Sequence, residues 1–125
     1  MSISLLNCLM VGLGGAIGSI LRYLMGLIPV KNPAGFPILT FLINIFGAFL
    51  IGTIVAYSSK NLSLSPRMIL FLKVGVCGGF TTFSTFSLES LQLIKSGNSF
   101  IAIIYMISSV ILSVLAVMLG HTIVK

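Results

Sequence analysis

The residues able to do chemistry are few, and they lie inside otherwise apolar stretches. The run GVCGGFTTFSTF, Gly75–Phe86, follows three glycines with Thr and Ser set between phenylalanines. Phe83 and Phe86 are three apart and share a face if helix resumes there. A phenyl ring is negative on its face and positive at its edge. Two ring edges beside Ser84, Thr85 and the Asn44 amide can hold a small dehydrated anion without a fixed positive charge. Such a site binds weakly enough to release the ion, which conduction requires. The alternative is ordinary packing of membrane phenylalanines.

Other polar residues fall into helical stripes. Thr40, Asn44 and Gly47 are spaced i, i+4, i+7. An amide in lipid is costly unless bonded, so Asn44 either lines a path or glues two helices. Tyr105, Ser109 and Ser113 recur every four residues through an aliphatic span, as a hydroxyl lining or a packing stripe. Gly14, Gly18 and Arg22 are spaced i, i+4, i+8. An arginine at the centre of a span costs roughly +2.5 to +3.5 kcal/mol if it faces lipid. Arg22 therefore points inward or into a wet vestibule, unless it snorkels to the interface.

What is missing narrows the chemistry. The only acid is Glu89, near the end of its span, and the only histidine is His121, near the C-terminus. No nucleophile–base pair is visible, so no enzyme is expected. Proton-coupled exporters and cation channels use carboxylates inside their spans. The first, second and fourth spans have none.

The elements that must position these residues follow from composition. The chain has 125 residues, 58% of them hydrophobic and 6% charged. Its mean hydropathy is +1.24. A soluble domain carries about a quarter charged residues, so this is an integral membrane protein. Helices are expected at about 3–28, 36–58, 66–95 and 99–123, as a single four-helix unit over residues 1–125. Each can cross ~30 Å of hydrocarbon at ~1.5 Å per residue. Pro66 is placed to open the third helix, where its missing N–H costs nothing. The first segment does not read as a signal peptide, since it lacks a basic leader and its only charge lies near its far end. Cys8 and Cys77 read as small packing residues.

Gly75, Gly78 and Gly79 each weaken helix by ~1 kcal/mol relative to Ala. Either the third helix breaks near its middle or the glycines serve a close helix crossing. Unwound backbone inside a membrane survives only when buried in protein or facing water or an ion. Freed carbonyls would suit a hard cation.

Charge chooses no clear orientation. One side would hold Lys60, Arg67 and Lys125, the other Lys31 and Lys95. Either the chain inserts both ways and pairs head-to-tail with itself, or this small bias suffices.

The sequence resembles the Fluc/CrcB family of fluoride channels over nearly its whole length. The motifs are GLGGAIGSILRY in the first helix, TFLINIFGAFLIG in the second and GVCGGFTTFSTFSLE in the third. The resemblance implies an all-α membrane protein: an antiparallel, dual-topology homodimer of four-helix subunits whose third helix is broken. It implies a passive fluoride-selective channel of the cell membrane that exports fluoride from the cytoplasm. The partners implied are fluoride, a second copy of the chain and the lipid bilayer, with no nucleic acid. A structural sodium ion at the dimer centre would be held by carbonyls matching Gly78 and Thr81. The fluoride pathway would include Phe83, Phe86, Asn44 and the vestibule Arg22. Tyr105, Ser109 and Ser113 would form its hydroxyl track, with Thr40, and with Ser84 and Thr85 beside the rings. The runner-up is a small four-helix, dual-topology multidrug exporter, which calls for a glutamate that the first helix lacks.

Overall fold

In lipid the backbone finds no hydrogen bonds outside itself, and the chain is accordingly helical almost throughout. The computed structural model describes residues 2–60 and 63–124. Helix α1 spans Ile3–Gly26 and α2 spans Ile38–Lys60. The third span is a series: α3 Pro66–Ile69, a π-helical segment Leu70–Cys77, α4 Gly78–Phe80 and α5 Phe83–Lys95. Helix α6 spans Ser99–Ile123. Among the described residues, four helices or helix series are long and apolar enough to cross a membrane.

Local chemistry sets the ends. The Ser2 and Ser65 hydroxyls accept from Leu5 N and Met68 N, each at 3.2 Å, capping α1 and α3. Pro66 opens the third span as its position predicts. The joints after α1 and α5 turn at Gly35 (φ +78°) and Gly97 (φ +85°), a region costly for residues with a Cβ. The Lys60 ammonium bonds the Val124 carbonyl, tying the end of α2 to the end of α6. Lys125, counted among the charges of that end, lies outside the described residues.

Helices α2 and α6 form one packed pair, and α1 packs against the π-helical segment and α4. The glycines of the third span make the second of these contacts possible. A Cβ on Gly75 would lie 2.8 Å from Gly14 Cα, and one on Gly79 would lie 2.5 Å from Gly15 O. These are backbone-to-backbone approaches of the small-residue kind.

The break comes just after them. Thr81 (φ −81°, ψ 157°) and Thr82 (φ −150°, ψ 118°) are extended, and helix resumes at Phe83. The sequence posed crossing and break as alternatives at the glycines; the chain has both, in succession.

No span has more than 22% of its most apolar window buried. Most of the apolar surface of a single chain is therefore left for lipid or another protein. Because the α1 crossing has no spare volume, Gly75→Val should destabilise the folded chain by about 1–3 kcal/mol through overpacking. A lower thermal-aggregation midpoint of the purified protein in detergent would show it; an unchanged midpoint would mean the helices can separate freely.

Candidate ion pathway

The two extended threonines leave backbone groups without helical partners, and neighbouring side chains take them. Asn44, half-buried on α2, makes a reciprocal pair with Thr82. The Thr82 N–H donates to Asn44 Oδ1 at 2.8 Å, and Asn44 Nδ2 donates to Thr82 O at 3.1 Å. The Thr82 hydroxyl caps α5 by accepting from Thr85 N at 3.1 Å. The Thr81 amide and hydroxyl both donate to Cys77 O, at 3.0 and 2.8 Å. From α1, Arg22 Nε donates to Gly79 O at 3.1 Å. A guanidinium on the last carbonyls of a half-helix is favoured by charge as well as by hydrogen bonding. Arg22 thus turns inward, one of the placements its spacing allows.

This bonding strips two carbonyls of their expected partners. In an unbroken helix Gly78 O would accept from Thr82 N, which goes to Asn44 instead. Thr81 O would accept from Thr85 N, which goes to the Thr82 hydroxyl. Gly78 is exposed, and a Cβ there would meet nothing nearer than 3.9 Å. No cluster of three His, Cys, Asp or Glu side chains occurs among the described residues.

Two cavities flank the break. One, of about 340 Å³, is lined by Asn44, Gly78, Thr81, Phe86, Ser109 and Ser113, together with Phe83. The Phe83 and Phe86 ring centroids stand 5.4 Å apart at 42°. Phe86 is buried and packs on the Tyr105 ring at 5.1 Å, while Phe83 is 77% exposed. The Ser109 hydroxyl is buried with no hydrogen-bond partner. Asn44 has spent one of its two amide protons on Thr82 and has one left. This cavity therefore offers neutral donors and aromatic rings, with no carboxylate.

The other cavity, of about 530 Å³, is lined by Arg22, Thr40, Thr82, Thr85 and Glu89 among others. Here Thr40 Oγ1 donates to Glu89 Oε1 at 2.7 Å and the Tyr105 hydroxyl donates to Oε2 at 3.0 Å. The stripe Tyr105–Ser109–Ser113 therefore divides: two hydroxyls serve the first cavity and the tyrosine serves Glu89. Ser84 is exposed, 3.4 Å from the Thr82 hydroxyl, and lines neither cavity. Thr82 borders both.

Sequence reasoning missed two residues. Thr82 is the hub of the break, and its signal was its place one residue before the resumed helix, where Thr is a good cap. Glu89 is the acceptor that joins α2, α5 and α6, and being the sole acid was its signal.

Residues 9–121 match a family model described as "CrcB-like protein, Camphor Resistance (CrcB)". The chain belongs to the CrcB family. Several curated relatives carry the name "Fluoride-specific ion channel FluC". One from Phocaeicola vulgatus is 48% identical over 115 residues, covering 91% of this chain and 94% of the relative. One from Azobacteroides pseudotrichonymphae is 42% identical over 113 residues, covering 90% of each. One from Rhizobium meliloti is 42% identical over 120 residues, covering 95% of this chain and 96% of the relative. With its four spans, this CrcB-family chain is a multi-pass protein of the cell membrane.

In this CrcB-family chain Asn44 bonds both backbone groups of Thr82. Asn44→Ala should leave the Thr82 N–H unpaired and lower stability by about 1–3 kcal/mol. Asn44→Asp keeps the acceptor and loses the donor, so it should fall between the two. Thermal melts of the three proteins in one detergent check this ordering, and an Asn44→Ala protein as stable as the parent contradicts it.

Proposed function

We propose that the chain is a passive fluoride-selective channel. Supporting this are its family and the printed name of relatives 42–48% identical to it over nearly their full lengths. The observation that carries it is the lining of the smaller cavity. A buried, unpartnered Ser109 hydroxyl and a spare Asn44 proton sit beside the Phe83–Phe86 pair, with no fixed charge among them. A buried donor without an acceptor costs free energy that a bound acceptor recovers. Fluoride, small and strongly hydrogen-bonding, suits such a set. Ser113 extends the donors, and phenyl edges complete the shell. Arg22 and the net charge of +6 raise the anion concentration at the mouths.

The working unit in this reading is an antiparallel homodimer. The exposed Phe83 ring and the exposed Gly78 lie next to the break, where a second copy would cover them. The Gly78 and Thr81 carbonyls from both copies would then meet a structural sodium ion. Their lost helical donors make them fit for it, since hard cations take oxygen dipoles. Bound there, sodium would neutralise the carbonyl dipoles and join the subunits. Fluoride would leave the cytoplasm down its electrical gradient, worth ~2.3 kcal/mol per charge per 100 mV. Hydrogen fluoride enters as a neutral weak acid and ionises inside, which traps the anion until a channel releases it. A multidrug exporter is not favoured, because α1 carries no acid to bind a cationic substrate.

Purified protein in liposomes should release fluoride and retain chloride. Phe83→Ile and Phe86→Ile should remain folded dimers yet lose at least about tenfold in fluoride efflux, equivalent to ~1.4 kcal/mol of lost ring contact. Wild-type vesicles that leak both halides equally would refute the assignment. For the cation, the melting midpoint of the dimer should rise with sodium concentration and not with potassium, as mass action requires of a ligand of the folded state. A midpoint indifferent to sodium would remove the ion from this account.

A further inference from the structure

Glu89 is the one acidic side chain in 125 residues, and it faces the same cavity as Arg22. Both of its oxygens are occupied: Oε1 by the Thr40 hydroxyl at 2.7 Å and Oε2 by the Tyr105 hydroxyl at 3.0 Å. Tyr105 is 0% exposed, so its hydroxyl has no water to turn to. A hydroxyl has one proton, and a carboxylate only accepts. Both protons are therefore committed. What the two hydroxyls show to an arriving anion is lone pairs, which repel it.

An anion can obtain either proton only by outcompeting a carboxylate. Hydrogen bonds to a carboxylate are roughly twice as strong as neutral ones. Fluoride, with its charge on a small radius, is an acceptor of that strength. Chloride spreads the same charge over a larger radius and is a much weaker acceptor. Arg22, reaching the cavity from α1, offsets the carboxylate charge that would otherwise keep all anions out.

We propose that Glu89 is a selectivity-determining residue: it holds the Thr40 and Tyr105 protons so that only an acceptor of its own strength can take them. This rests on the fluoride-channel reading. It differs from an uninterrupted ladder of free hydroxyl donors, in which Thr40 and Tyr105 would serve any halide.

The test uses full-length protein in liposomes, with fluoride and chloride efflux measured on the same preparations. Glu89→Gln has one acceptor oxygen and should free a hydroxyl. The chloride-to-fluoride rate ratio should then rise at least about tenfold, the worth of one hydrogen bond to a charged group. Removing the negative charge could itself admit chloride, so a triple variant separates the two causes. Thr40→Val, Tyr105→Phe and Glu89→Gln together lack the contested protons and the charge. The proposal expects chloride leak to return to the parental level in that protein. A triple variant as leaky as Glu89→Gln, or a Glu89→Gln protein with unchanged selectivity, would overturn it.

Should the variants not assemble, the unmutated protein still decides. Glu89 is the only glutamate, so ¹³C-glutamate labelling yields one assigned side-chain carboxyl resonance. Fluoride should shift it and chloride should not; a shift with both or with neither rejects the proposal. Wild-type vesicles that fail to release fluoride would instead remove the reading beneath it, whatever the variants do.

Discussion

The reciprocal pair between Asn44 and Thr82 is the interaction on which the rest of the structure depends. A chain that leaves the helix inside lipid finds no water for its backbone, and each unpaired group there costs several kcal/mol. One amide side chain supplies a donor and an acceptor at once, much as a neighbouring strand would. The Thr81 hydroxyl donates back to Cys77 O, the Thr82 hydroxyl accepts from Thr85 N, and Arg22 donates to the Gly79 carbonyl. Every repair uses a group from within the protein. The break is therefore a fixed piece of geometry and not a loosened stretch of helix.

Fixing it has two consequences. The half-helix Pro66–Phe80 can press against α1, because glycines on both sides let the backbones meet. The other half, α5, starts afresh after two extended residues, with Phe83 and Phe86 at its first turn and Glu89 two turns in. Thr82 stands between them and borders both cavities. The neutral-donor cavity and the charged cavity are thus joined through the one residue that Asn44 holds. A shift at Thr82 would reach both.

How much of this could be read from the sequence varied with how local each feature is. The four spans were legible because lipid permits little except helix. Phe83 and Phe86 were legible as a pair because a three-residue spacing needs only one turn of helix. The glycines were ambiguous for a physical reason: low helix propensity reads the same whether the backbone unwinds or a neighbour comes close. The choice of Thr81–Thr82 for the break depends on Asn44, 38 residues away from Thr82. Tyr105, Ser109 and Ser113 do follow one stripe, but Glu89 arrives from another helix and claims the first of them. Spacing along one helix cannot show which neighbour faces which rung.

Charge placement gives a last step. A bare unit pair at 4 Å is worth ~4 kcal/mol at an effective dielectric of 20. The position of the one guanidinium beside the break therefore matters to the field of both cavities. One of the five N–H donors of Arg22, at Nε, is bonded to the Gly79 carbonyl, which fixes where its charge sits. Its charge borders the larger cavity and is absent from the smaller one, whose lining has no ionisable acid or base but Cys77. The break that frees the Gly78 and Thr81 carbonyls also provides the carbonyl that tethers Arg22. The tethered guanidinium and the two carbonyls without helical donors thus follow from the same interruption of one helix.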